Sequence, residues 1–453
     1  MRFVEGVLAF VLISSAARAQ TEPVRRDSIP RLVQKIEFGE AGSKVVRMGD
    51  LDGDGRIDLL LVQAKAPEGE NKTIITCLTA ITLEGKVLWQ LGKPDLRNNY
   101  FAGDFPVQIH DLDRDGKTEV IYIPDEKNEL HILAGKNGEL IRKVQLAGGH
   151  DSLLFADLSG SGHPRDLVVK DRYRSFWVYD KNFNLKWSRL DGNTGHYPIE
   201  HDFNGDGKDE LLVGYTLYDG QGKELWSLPG FSLDHHNDAT FIEDMDGDGR
   251  AELAVATSKD ALLLDADGKI LFRKVMDHCQ HALIGKFRPD LPGKQAFYIS
   301  RNIVGAKVDL QLRPGQGDLR YSTAAMFTKS GEQLWSTTEN IWYTGCLRMD
   351  HWTGNPEEQF VLLYSRGFFP PCLMDGKGRT IAVFPFPPAI VQPGKGPDGK
   401  DVYEDYYVHH IACWGDEREE VLVYNQKELW IYTNAALLEK PRLYNSTYYP
   451  GRQ

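Results

Sequence analysis

Asp50-Leu-Asp52-Gly-Asp54-Gly-Arg-Ile-Asp58, followed at once by Leu-Leu-Leu-Val, sets a pattern that returns along the whole chain. Asp111-Leu-Asp113-Arg-Asp115-Gly-Lys-Thr-Glu119 precedes Val-Ile-Tyr-Ile. Asp202-Phe-Asn204-Gly-Asp206-Gly-Lys-Asp-Glu210 precedes Leu-Leu-Val-Gly, and Asp244-Met-Asp246-Gly-Asp248-Gly-Arg-Ala-Glu252 precedes Leu-Ala-Val-Ala. Four degenerate copies fill the remaining slots: Asp157 to Asp166, the run from Lys286, Asp350 with Glu358, and Asp416 with Glu420. A second signature follows each one, a glycine turn leading into a strand, as in Leu83-Glu-Gly85-Lys-Val-Leu-Trp89, Gly222-Lys-Glu-Leu-Trp226 and Gly331-Glu-Gln-Leu-Trp335. Each unit reads strand, acidic turn, strand, strand, glycine turn, strand. Four short antiparallel strands in a unit of this length are the signature of a propeller blade.

Eight units imply an all-β fold, a β-propeller of eight blades, with seven as the rival count. The last unit offers three clear strands, so Leu32–Phe38, ahead of the first motif, is the expected fourth strand that closes the ring. The domain reading is a signal peptide over 1–19 and one propeller over 20–453. Arg2, the apolar run Val7–Ile13 and Ala17-Arg18-Ala19 form the secretory pattern, which points to a secreted or periplasmic protein. The 453 residues carry a net charge of −12 with no run of Lys or Arg, which argues against nucleic acid, and no segment suits membrane insertion. A monomer is expected. The five cysteines (Cys77, Cys279, Cys346, Cys372, Cys413) fit no zinc or redox spacing and read as strand residues.

Carboxylates at positions 1, 3, 5 and 9 of one tight turn suit Ca²⁺, with the position-7 carbonyl completing the shell. The expected ligands are Asp50, Asp52, Asp54, Arg56 and Asp58; Asp111, Asp113, Asp115, Lys117 and Glu119; Asp202, Asn204, Asp206, Lys208 and Glu210; and Asp244, Asp246, Asp248, Arg250 and Glu252. Two residues, not five, separate the glycine from the last acid, so the turn is not an EF-hand. Without a cation such turns would be strongly repulsive. About four structural Ca²⁺ ions follow.

The residues five to nine places before each acidic turn lie at the opposite face, near the central axis. His150, His196, His235, His236, His278 and His281 occupy those places in four successive units, and Lys170, Arg172, Tyr215, Arg301, Asn302 and Arg366 follow second strands back to that face. Tyr343 and Tyr407 sit at the entries of later blades, while His110, His131, His163 and His351 fall off the pattern and read as surface or structural. The long segments 63–73, 302–323 and 387–406 would wall a cleft. Two or three of the histidines could also hold zinc.

The acidic copies and Gly-turn-Leu-Trp endings resemble FG-GAP/VCBS-type calcium-binding propellers. His196-Tyr-Pro, Gln280-His281-Ala-Leu-Ile-Gly and Arg288-Pro-Asp-Leu-Pro-Gly293 are similar to stretches of the propeller of rhamnogalacturonan lyases, with propeller-fold ulvan lyases a related case. The Gly-His-Gly-Asp run of the former is replaced by Asp234-His235-His236-Asn237-Asp238. The resemblance implies a polysaccharide lyase acting on a rhamnose-rich, uronic-acid-containing acidic polysaccharide. The residues themselves suit β-elimination: a base takes the C5 proton, an acid protonates the departing C4 oxygen, and cations neutralise the carboxylate. His150, His196, His235, His281, Tyr343, Arg301 and Arg366 form the expected catalytic set. His236, His278, Lys170, Arg172, Tyr215, Asn302 and Tyr407 form the expected substrate-binding set. A non-catalytic propeller binding a glycan or a protein through the same face is the alternative, and Asp234 with Asp238 would be the carboxylates of a hydrolase.

Overall fold

The computed structural model describes residues 28–66, 73–100, 105–171, 173–229, 236–276, 278–304, 319–339, 345–355, 357–365, 369–385, 391–395, 401–403 and 406–436. The expected signal peptide therefore lies outside the described residues. Eight antiparallel sheets follow one another as eight blades. Blade 1 spans 45–92, blade 2 107–145, blade 3 152–189, blade 4 199–227, blade 5 237–275, blade 6 279–339 and blade 7 345–383. Blade 8 takes three strands from 407–434, and its fourth is the N-terminal strand Pro30–Glu37, paired antiparallel with Glu428–Asn434. The eight-blade count and the N-terminal closure both hold, and the seven-blade alternative falls.

The apolar runs after the acidic turns form the second strand of each blade, and their two faces serve different neighbours. In blade 5, Leu253 and Val255 pack toward blade 4, whereas Ala254 and Ala256 pack toward blade 6. A strand buried on both faces needs a continuous apolar run instead of alternation. Among the described residues, eight apolar clusters are found, each shared by two neighbouring blades, including the pair of blades 8 and 1 at the closure. Outermost strands are more exposed, as Leu140–Gln145 shows.

The glycine-turn signature has a packing cause. The tryptophan ending one blade donates its indole N–H to a carbonyl in the next blade's turn: Trp89 to Gly135, Trp187 to Gly220, Trp226 to Ala266 and Trp335 to Gly376. At Gly268 (φ +78°) an added Cβ would lie 2.6 Å from the Trp226 ring, so the turn needs glycine for both conformation and space.

The segment 63–73 proves partly regular, since Asp58–Lys65 and Ile74–Thr82 are long paired strands. Asn302–Val304 pairs with residues of Leu319–Phe327, and Val391–Lys395 with Asp401–Tyr403 as a separate hairpin. The five cysteines carry no disulfide, and all but Cys372 are buried. Among the described residues no helix is long and apolar enough to cross a membrane.

Candidate functional site

The first strands of blades 3 to 6 begin at Ser152, Ile199, Asn237 and Cys279. His150, His196, His236 and His278 therefore stand at the strand entries, on the face away from the acidic turns, as the spacing requires. Asp238 is the hub of the group. Its carboxylate is almost wholly buried and accepts from Gln280 Nε2 at 2.8 Å and from Ser258 Oγ at 3.4 Å. His236 Nε2 lies 3.3 Å from Asp238 Oδ1, and His196 Nε2 3.8 Å from it. Burial alone would raise the Asp238 carboxyl, but the His236 hydrogen bond and the charges of His236, His196 and His278 hold it below its ordinary value. Asp238 thus faces imidazoles among the described residues; Asp234, its expected partner in a hydrolase pair, lies outside them.

Tyr173 completes the cluster. Its hydroxyl is 3.2 Å from His196 Nε2, its ring lies 5.3 Å from that of His196 and 5.0 Å from that of His236, and the two imidazoles are 5.1 Å apart. The loop after Lys170 delivers it through a left-handed backbone (φ 65°) that a tyrosine rarely adopts. The neighbouring positions Lys170 and Arg172 were the ones the loop pattern marked; the twist that turns Tyr173 inward leaves no sequence signal. Across the blade boundary, the His196 amide donates to the Asn237 carbonyl at 2.9 Å, which ties this entry to blade 5.

Other expected residues divide. His150 Nε2 is 3.8 Å from Asp171 Oδ1. His281 is half-buried in the first strand of blade 6, beside a register shift, and the Arg301 amide donates to the His278 carbonyl at 2.9 Å. Two expectations are corrected. Lys170 is fully buried, its ammonium 2.9 Å from Asp151 Oδ2, so it holds the strand entry and cannot touch a substrate. Tyr407 is buried in the cluster between blades 8 and 1, against Tyr424, because its place at the start of the strand Tyr407–Ile411 packs it between two sheets. Tyr215 is also buried, in the apolar cluster shared by blades 4 and 5, where desolvation and the nearby Asp238 push its hydroxyl far up. His235, Arg172, Tyr343 and Arg366, and the side chain of Asn302, lie outside the described residues.

Two kinds of cation site fit the side chains. His196, His236 and Asp238 offer ligand atoms within 4.8 Å of one another, and two imidazoles with one carboxylate suit zinc or a similar divalent ion. The acidic turns offer oxygens only. Asp50 Oδ1 accepts from Gly53 N at 2.7 Å, Asp50 Oδ2 from Gly55 N at 2.9 Å, and Asp58 Oδ2 from Leu51 N at 3.0 Å. The turns at Asp111, Asp202 and Asp244 repeat this scheme. The bonds orient the turn and leave carboxylate oxygens converging: those of Asp50, Asp52 and Asp58, of Asp111, Asp113 and Asp115, and of Asp244, Asp246 and Asp248 come within 4.8 Å. Burial, with Asp52 and Asp50 nearby, pushes Asp58 up to about 7, and Glu119 likewise to about 7. Clustered hard oxygens that ionise reluctantly on their own form a donor set that fits Ca²⁺.

A separate cleft of about 240 Å³ lies near the turns of blades 6 and 7, lined by Phe287, Arg288, Asp290, Asp375, Lys377 and Arg379 among others. Arg288 is paired with Asp290 and Arg379 with Asp375, so this cleft spends its guanidiniums internally.

No protein-family model matches the chain. Two proteins of Bacillus subtilis (strain 168) are similar to it. Rhamnogalacturonan exolyase YesX is 25% identical over a 471-residue alignment that takes in 86% of this chain and 71% of the relative. Rhamnogalacturonan endolyase YesW is 26% identical over 289 residues, 59% of this chain and 45% of that relative, so the chain matches less than half of its length. Among solved structures, the exotype rhamnogalacturonan lyase YesX superposes with a TM-score of 0.63 at 20% identity, covering 92% of this chain and 77% of that one. The Vibrio cholerae biofilm matrix protein Bap1 gives 0.58 at 15%, covering 93% and 90%. These superpositions establish the propeller fold.

Proposed function

We propose that this chain is an exported polysaccharide lyase that cleaves a rhamnogalacturonan-like, uronic-acid-containing polymer by β-elimination. The reading is carried by the Tyr173–His196–His236–Asp238 cluster at the strand entries, in a chain similar to two rhamnogalacturonan lyases. Export rests on the N-terminal pattern over residues 1–19.

Elimination removes the C5 proton, moves its electron pair into a C4=C5 double bond and breaks the C4–O bond, with a proton delivered to the departing oxygen. Tyr173 and His196, 3.2 Å apart, are the pair that takes up and returns the proton. Asp238 fixes His236 and His196, while Arg301 supplies positive charge, and His150 and His281 hydrogen bonds, toward the substrate carboxylate. A divalent ion, if held by His196, His236 and Asp238, would occupy a His196 ring nitrogen, supply further positive charge for that carboxylate and leave the proton transfer to Tyr173. The four complete acidic turns, at the other face, bind structural Ca²⁺.

The test follows ultraviolet absorbance of the new double bond with rhamnogalacturonan, ulvan, polygalacturonate and glucuronan. A rise on a uronic-acid polymer is expected, and His196→Ala and Tyr173→Phe should each lower it on the order of 10²–10⁴-fold. New reducing ends without absorbance would mean hydrolysis. Binding with neither signal would make the chain a glycan-binding propeller.

A further inference from the structure

The eight acidic-turn positions divide by how their charge is met. In the four degenerate copies a cation of the chain itself stands at the turn. Lys286, in the place of the first aspartate, donates to the carbonyls of Leu291 at 2.5 Å and Gly293 at 2.9 Å. Arg418 clasps Asp416 at 2.8 Å and Arg348 holds Asp350 at 2.7 Å; Lys186 stands 3.5 Å from Asp166. The complete turns meet cations of the chain as well, and at 244–252 the cation comes from the neighbouring blade and reaches two ligand positions. Lys329, on the glycine turn of blade 6, reaches back to blade 5 and places its ammonium 2.6 Å from Asp246 Oδ2 and 2.7 Å from Glu252 Oε1. These are the third- and ninth-position ligands of the turn. Its side chain is 30% exposed, that of Asp246 45% and that of Glu252 3%, so the Glu252 arm of the bridge is partly desolvated while the Asp246 arm faces solvent.

The other complete turns differ. Lys136 and Lys181 occupy the equivalent position of the glycine turns beside 50–58 and 111–119, and both are exposed. Lys117 and Lys208 approach the fifth-position carboxylates, Asp115 and Asp206, from solvent, with side chains 76% and 53% exposed. Lys329 alone among these lysines bridges two ligand positions across a blade boundary.

We infer that Lys329 is a tethered competitor for the metal: it keeps the 244–252 turn folded without Ca²⁺ and makes this turn the weakest of the four calcium sites. Ca²⁺ entering here must displace an ammonium that already holds two of its oxygens. One lost charge-assisted hydrogen bond is worth roughly a tenfold change in affinity. The inference rests on the calcium reading of the acidic turns. It gives the ring graded behaviour, with three turns filled at low calcium and the blade 5–blade 6 junction responding at higher calcium.

The experiment is calorimetric Ca²⁺ titration of the chelator-stripped full chain, parent against Lys329→Met, with Lys136→Met as control. The parent should take up three ions tightly and a fourth about tenfold or more weakly, and Glu252→Gln should remove the weak step. Lys329→Met should move the fourth ion into the tight class, while Lys136→Met changes nothing. Melting supplies a second readout that needs no site counting: Lys329→Met should lower the midpoint in chelator and restore it in calcium. Four equal steps in the parent, left unchanged by Lys329→Met, would overturn the inference alone. No uptake of calcium by the parent would overturn the calcium reading together with it.

Discussion

Asp238 shows how much one buried side chain can organise. A carboxylate so enclosed is costly unless its lone pairs are used, and here Gln280, Ser258 and His236 use them while His196 stands nearby. In the proposed reaction its role would be positioning, since the Nε2 atoms of His236 and His196 both lie near its Oδ1. Asp238→Asn keeps the shape and removes the charge, so the fold should persist while kcat/KM on the responsive polymer falls about 10–100-fold. Full activity in that variant would reduce the cluster to a structural one. The histidines were legible from their distance to the acidic turns. Tyr173 was not, because a left-handed tyrosine backbone is decided by surrounding packing and has no local signature. Lys170 was misjudged for a related reason: its position along the strand is visible in sequence, but Asp151, which neutralises it in the interior, is recognised only from the paired strands.

At the scale of the element, the acidic turn and the glycine turn do different work. The first ends a strand by folding backbone amides onto a carboxylate. The second receives the tryptophan of the preceding blade, so a motif that looks local is in fact a joint between neighbours. Trp226→Ala removes the indole that donates to Ala266 and should cost about 3 kcal/mol. Gly268→Ala should also destabilise, by about 1–3 kcal/mol, since its φ of +78° disfavours a side chain and its Cβ would meet the same ring. Gly39→Ala, whose Cβ meets nothing within 4 Å, carries the backbone penalty alone and should cost less. Equal losses at Gly268 and Gly39 in chemical denaturation would remove the joint from the account.

The whole molecule depends on closing the ring with strands from the two ends of the described chain. Pro30–Glu37 covers Glu428–Asn434, every residue of which is buried, and Ile36 joins the cluster shared by blades 8 and 1. Lys35 adds an ion pair to Glu428 at 2.5 Å, and Trp352 donates to Ser28 at 2.9 Å. A chain begun at Phe38 would expose the edge of Glu428–Asn434, and unpaired edges invite association. Such a chain should melt at lower temperature and show concentration-dependent association in ultracentrifugation. An association state and a midpoint unchanged from the parent's would mean that the N-terminal strand is dispensable for closure.

The amino-acid sequence alone determined the all-β class, the blade repeat, the placement of acidic turns on one face and histidines on the other, and the candidate for ring closure. These follow from periodicity and spacing, which are local quantities. The tertiary structure decided what depends on contacts between blades. It settled eight blades over seven, the burial of Lys170 and Tyr407, the gathering of His196, His236 and Tyr173 around Asp238, and the reach of Lys329 into a neighbour's turn. Residues as far apart in sequence as Lys329 and Asp246 meet because each sheet must bury both faces against the next, and that packing alone sets which side chains share a place.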